Sequence, residues 1–153
     1  QNFPVPTVTV PMAAIQVRNV TLEENPAKFT SDLDFNIRFD CMEQISDDLN
    51  WKVVYVGSSQ DEKYDQTLED VEVGPVTLGA NEFVLNCPAP DPTQIPPEHL
   101  LGVTAILLAA TYKDQEFIRV GWYVNNDYET QEERDQPPAK PQFDRIVRNV
   151  LVS

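Results

Sequence analysis

The chain has 153 residues, 25 of them Asp or Glu against 11 Lys or Arg, for a formal net charge of −14. That length suits one domain able to bury roughly two thirds of the surface its unfolded form exposes. The acidic excess argues against direct nucleic-acid binding, which needs clustered Lys and Arg, and favours a basic partner.

Residues 1–11, QNFPVPTVTVP, are expected to form an extension or remnant ahead of Met12, without a core of their own. They lack the basic and apolar regions of a signal peptide. Residues 15–20 predict a first strand. Residues 33–39 alternate cleanly, with Leu33, Phe35, Ile37 and Phe39 inward and Asp34, Asn36 and Arg38 outward. Residues 50–57 set Trp51, Val53 and Tyr55 against Lys52, Val54 and Val56, so two valines are turned outward. Strands over 71–76 and 81–86 are separated by turn residues at Gly74-Pro75 and Gly79.

A proline-rich crossing, 88–97, leads into 101–112, an apolar run suited to a central strand. No apolar stretch reaches the ~18–20 residues of a membrane span, so no membrane contact is expected. Lys113-Asp114-Gln115 is short enough for a hairpin into a strand beginning at Glu116. Asp47-Asp48 and 129–135 are expected to hold short helices. In the tail, Phe143, Ile146, Val147, Val150 and Leu151 fall at helical spacing, which predicts an amphipathic helix capping the molecule. Several short strands with turns between them predict an all-β fold, an immunoglobulin-like β-sandwich with short helices in loops and near the C-terminus.

Residues 116–128, EFIRVGWYVNNDY, carry the most information. Ile118, Val120, Trp122 and Val124 share one face, and Phe117, Arg119, Gly121 and Tyr123 share the other. The first set suits a core. The second places an arginine and a tyrosine, both enriched at binding hot spots, beside a glycine. No nucleophile or base accompanies them, so this face points to recognition.

Catalytic chemistry finds little support. His99 is the single histidine, so a zinc site or a Ser-His-Asp arrangement lacks its parts. Asp61, Glu62, Asp65, Glu69 and Asp70 cluster but lack the order of a calcium-binding loop. Gly57-Ser58-Ser59 lacks the GK[ST] ending of a phosphate loop. The chain is expected not to be an enzyme and to need no cofactor or metal.

Cys41 and Cys87 flank Trp51 in the order of secreted immunoglobulin domains, and Asn19-Val20-Thr21 matches a glycosylation sequon. Residues 81–86, NEFVLN, lack the tyrosine that marks the true immunoglobulin pattern, so two reduced buried thiols are favoured over a disulfide. An extracellular immunoglobulin-like adhesion module is the alternative reading of these features. A calcium-binding domain using residues 61–70 is a weaker third.

Five segments together carry a resemblance: 25–43 (NPAKFTSDLDFNIRFDCME), 47–76, 102–112 (GVTAILLAATY), 116–128, and 136–140 (QPPAK) followed by FDRIVRNVL. From about Ala14 to Leu151 the chain resembles the anti-silencing function family of histone H3–H4 chaperones. The resemblance implies an immunoglobulin-like core, residence in the nucleus, a monomer without catalysis, and two binding surfaces. One grips the C-terminal helix of histone H3 and masks the face by which H3–H4 dimers pair. The H4 tail adds to a sheet edge there, as β-augmentation. Carried over by position, the H3-binding residues are Val56, Asp65, Ala105, Leu107, Arg119 and Tyr123. The other surface takes a hairpin from downstream chaperones at Asp47, Asp48, Val71 and Val73. Ala105 stands where the family usually has valine, a loss of about 1–2 kcal/mol of apolar contact. His99 replaces a typically acidic residue. The core is expected over 12–153, with the chain stopping before the final strand and acidic tail that the family carries.

Overall fold

The computed structural model describes residues 14–151; the expected extension at 1–11 lies outside the described residues. The strands are β1 (Ile15–Leu22), β2 (Ala27–Lys28), β3 (Leu33–Cys41), β4 (Leu49–Tyr55), β5 (Gln66–Val73), β6 (Gly79–Cys87), β7 (Gly102–Tyr112), β8 (Gln115–Tyr128) and β9 (Ile146–Val150). Two short helices, α1 (Pro97–Leu100) and α2 (Gln131–Asp135), sit in the connections. A three-stranded sheet in the order β1-β3-β6 faces a six-stranded sheet in the order β2-β9-β8-β7-β4-β5. All paired neighbours run antiparallel. The fold is the all-β sandwich expected from the alternating patterns.

Period-two patterning explains the core. Leu33, Phe35, Ile37 and Phe39 of β3 are buried, and so are Trp51, Val53 and Tyr55 of β4. The Trp51 ring lies 5.9 Å from Phe39 and 5.3 Å from Phe83, so it bridges the two sheets. Phe35 stacks on Trp122 of β8 at 5.9 Å. Aromatic contacts of this kind add to simple area burial, and truncating one to alanine costs about 3–5 kcal/mol.

β7 and β8 form the longest ladder, from Gly102↔Asn126 to Tyr112↔Gln115. A two-residue turn joins them, with positive φ at Lys113 (48°) and Asp114 (65°). That backbone matches the right-handed twist of the flanking strands.

Two local expectations are overturned. The tail is a short 3₁₀ turn, Phe143–Arg145, followed by strand β9 rather than an amphipathic helix. The apolar spacing of 143–151 fits either period, but three β-branched residues and the open edge of β8 decide for a strand. Val124↔Val150 through Tyr128↔Ile146 form that pairing. It turns Arg148 inward, where its guanidinium donates to the carbonyls of Phe29 (3.1 Å) and Ser31 (3.0 Å). Burial pushes the Arg148 pKa down to about 10. Asp47-Asp48 is likewise not helical; it is a bend leading into β4. The helix expected in 129–135 is present as α2, with Thr130 capping its N-terminus through the Glu133 N–H.

Both cysteines are free and buried. They lie at opposite ends of one ladder, Cys41 opposite Gly79 and Cys87 opposite Leu33. At about 3.4 Å per residue that separates them by roughly 25 Å, whereas a disulfide needs Cα atoms within about 7 Å. The inter-sheet bridge of an immunoglobulin module is geometrically excluded.

Candidate functional site

A solvated antiparallel sheet ordinarily turns polar residues to water. The outer face of the six-stranded sheet departs from that rule along β4, β7 and β8. Val56 donates its N–H to the carbonyl of Ala105 at 3.0 Å, and Ala105 stands opposite Tyr123 on β8. The next row is Val54, Leu107 and Gly121; the following one is Lys52, Ala109 and Arg119. Inward positions of the same strands, such as Ile106, Leu108 and Trp122, are buried. The structure thus brings Val56, Ala105, Leu107, Arg119 and Tyr123 onto one surface, with Tyr123 70 % exposed.

Arg119 is anchored at its own strand, its Nε donating to Glu116 Oε1 at 2.9 Å, while more than half of its side chain stays exposed. Phe117 does not share this face. A bulge pairs Ala110 with Ile118 and Thr111 with Glu116, which leaves Phe117 as the extra residue and turns its ring into the core. Strict alternation along a strand fails at such a bulge.

Asp65 closes a 3₁₀ turn, Glu62–Tyr64, just before β5. It shares a depression with Val56, Ser58, Ser59, Asp61 and Glu62 beside the apolar stripe. Partial desolvation and the nearby Glu62 carboxylate push the Asp65 pKa up. A cation brought alongside relieves that like-charge crowding.

Sequence reasoning missed neighbours on the same face. Val103, two residues before Ala105 and 61 % exposed, carried a usable signal in its strand parity. Leu151 donates its N–H to the Tyr123 carbonyl at 2.8 Å, which seats it beside that ring. Its place next to Tyr123 was hidden by reading the tail with helical period.

Asp47, Asp48, Val71 and Val73 lie elsewhere, and the valines do not line the hollow that the two aspartates share. Val73 pairs with Leu49 and Val71 with Trp51, so both valines turn toward the inner side of edge strand β5 and lie half-buried against the core. Asp48 folds over Gly74, where an added Cβ would come within 1.9 Å of its Oδ1. Asp47 accepts from the Ser46 hydroxyl at 3.1 Å. Together with Asp70, Glu72 and Asp114, the two aspartates line a hollow of about 650 Å³ at the far end of the outer sheet face.

His99 sits in α1 and is half-buried. Its Nδ1 is buried without a partner. Among the described residues, no three His, Cys, Asp or Glu side chains converge closely enough to hold a metal ion.

Residues 12–153 match the family described as ASF1 like histone chaperone. The chain belongs to that family. Histone chaperone ASF1B of Arabidopsis thaliana is 50% identical over 140 residues, covering 92% of this chain and 64% of that protein. Histone chaperone ASF1 of Chaetomium globosum is 49% identical over 142 residues, covering 93% and 51%. Histone chaperone ASF1B of Mus musculus is 50% identical over 142 residues, covering 93% and 70%. This ASF1-like chain therefore spans between about half and two thirds of the first two relatives. Histone chaperones are not a class of enzyme. Membership in the family does not favour the adhesion-module alternative.

Proposed function

We propose that this ASF1-like chain is a non-enzymatic histone chaperone that holds one H3–H4 dimer. It covers the H3 face used for tetramer formation and hands the histones to chromatin assembly or exchange factors in the nucleus. The observation that carries the reading is the outward apolar stripe Val56–Ala105–Tyr123, which lies between the Asp65 carboxylate and the Arg119 guanidinium. Such a surface suits an amphipathic helix from a basic protein: apolar side chains fill the centre and charged groups pair at the rim. Val56, Leu107 and Tyr123 supply the apolar anchor, with Ala105 between them; Asp65 and Arg119 make charge-assisted contacts. The net charge of −14 speeds encounter with a cationic partner.

A second surface, Asp47 and Asp48 with Val71 and Val73, receives a hairpin from downstream chaperones. Its support is the pairing of half-buried valines on an edge strand with exposed carboxylates beside them. The chain acts as a monomer, with no direct contact to nucleic acid or membrane.

The deciding experiment is titration with an H3–H4 dimer, followed by size determination of the product. A complex of one chain with a single H3–H4 pair is expected. Binding only to an intact tetramer, or none at modest ionic strength, overturns the reading.

A further inference from the structure

The loop between β4 and β5 presents two adjacent serines in unlike settings. Gly57 packs so closely on Tyr64 that an added Cβ would meet the Tyr64 carbonyl oxygen at 2.4 Å, which pinches the two ends of the loop together. Ser59 and Gln60 form a turn between those ends, and both are exposed. Ser58 is 3 % exposed, and its hydroxyl accepts the Gln60 N–H at 3.2 Å. Among the described residues, nothing hydrogen-bonds the Ser59 hydroxyl. Asp61 and Glu62, also exposed, follow it two and three positions downstream. One class of protein kinase selects serines by such downstream carboxylates, which basic side chains of its substrate groove attract and hold in register.

We propose that Ser59 is a phosphorylation site for an acid-directed protein kinase, and that its phosphate strengthens the hold of the adjoining face on a cationic partner. The second half rests on the H3–H4 reading. In the transfer, the Ser59 Oγ forms a bond to the γ-phosphorus of ATP as the bond from that phosphorus to ADP breaks. The hydroxyl proton passes to a carboxylate base of the kinase. Ser59 borders the same depression as Val56 and Asp65, so the phosphate stands at the rim of the apolar stripe. It adds about −1.5 to −2 of charge and three acceptor oxygens. The loop offers little to neutralise it. Lys63 is the one cation in 57–65, and its ammonium already pairs with Asp61 at 3.6 Å and lies over the Tyr64 ring. Asp61, Glu62 and Asp65 are like-charged neighbours. The compensating cation therefore comes from the bound protein, as a lysine or arginine making charge-assisted bonds to the phosphate.

The first arm of the test treats the full chain with ATP and casein kinase 2, an acid-directed kinase, and maps the product by mass spectrometry. Phosphate is expected on Ser59, at a rate about fivefold lower or less when Asp61→Asn and Glu62→Gln are combined. No phosphate on Ser59, or a rate indifferent to both carboxylates, overturns the site. The second arm titrates an H3–H4 dimer calorimetrically into wild type and into the chain carrying phosphoserine at position 59 alone. The phosphorylated chain is expected to bind about tenfold tighter at low salt, with the gain shrinking as salt rises. Its melting temperature stays level, because the unmodified hydroxyl pairs with nothing. If wild type binds the dimer and the phosphorylated chain binds equally or more weakly, the proposed effect is wrong while the chaperone reading stands. If wild type itself does not bind, the chaperone reading fails and the effect on binding falls with it.

Discussion

Tyr55 and Asn126, 71 residues apart in the chain, are joined inside the core by a 2.8 Å hydrogen bond from Asn126 Nδ2 to the Tyr55 hydroxyl. Both residues are 1 % exposed, and Asn126 Oδ1 has no partner, so the bond through Nδ2 is what satisfies this buried amide on β8. Removing the hydroxyl in Tyr55→Phe keeps the ring and orphans the amide donor, which costs about 1–3 kcal/mol. Burial holds the phenol at about 12 against an ordinary value of 10.0, with the Asn126 bond and Arg148 acting the other way. The folded pKa is raised, so this contribution is complete below pH 10 and is lost as pH rises toward 12. Urea melts should show a wild-type advantage over Tyr55→Phe at pH 7 that narrows above pH 10. Equal stability at pH 7 would mean that the bond contributes nothing net.

Asp65→Ala and Arg119→Glu are expected to weaken H3–H4 binding by tenfold or more while leaving the melting temperature nearly unchanged. Both side chains are exposed, and Arg119 gives up only a surface pair with Glu116, which is worth little to stability. Charge reversal at Arg119 acts on binding through rim electrostatics, so part of its loss should fade as salt rises. An unaltered affinity for both variants counts against this face.

The sandwich and most of its strands were legible because period-two patterning is a local property of sequence. Val54 and Val56 stood out as an outward apolar pair, whereas Ala105 and Leu107 came to the candidate face only through the family resemblance, because the apolar run 101–112 reads as a central strand. What stayed hidden depended on partners distant in the chain. Residues 143–151 satisfy a helical and a strand pattern at once, and only the open edge of β8 and the carbonyls of Phe29 and Ser31, ready to receive Arg148, choose between them. The bulge that buries Phe117 and the bend at Asp47-Asp48 are also set by pairing, which no local periodicity reveals.

Glu133 and Arg145 form a two-pronged latch between α2 and the turn entering β9, Nε to Oε2 at 2.5 Å and the terminal nitrogen to Oε1 at 3.0 Å. Arg145, helped by the Thr130 hydroxyl, pulls the Glu133 pKa from 4.5 down to about 2. A depressed carboxylate stabilises the fold above its unfolded pKa and loses that contribution as pH falls toward the folded one. The melting-temperature gap between wild type and Glu133→Gln should therefore be constant above pH 4.5 and shrink steadily below it. A gap that widens on acidification contradicts the latch.

Asp47→Ala combined with Asp48→Ala tests whether the two surfaces are separate. On the six-stranded sheet, Asn50 and Glu72 mark the Asp48 end, and Ala105 and Tyr123 lie some six residues further along the ladder, or roughly 20 Å. A change at one end is screened from the other by about two Debye lengths at physiological salt. Neither aspartate is buried, so the double variant should keep its melting temperature. It should also retain H3–H4 affinity while losing most of its capture of a basic hairpin peptide, because Val71 and Val73 alone supply apolar contact without the charges that orient an approaching arginine or lysine. A calorimetric comparison of both ligands on the same preparation separates the outcomes. Loss of histone binding together with hairpin binding would show that the two ends act as one surface.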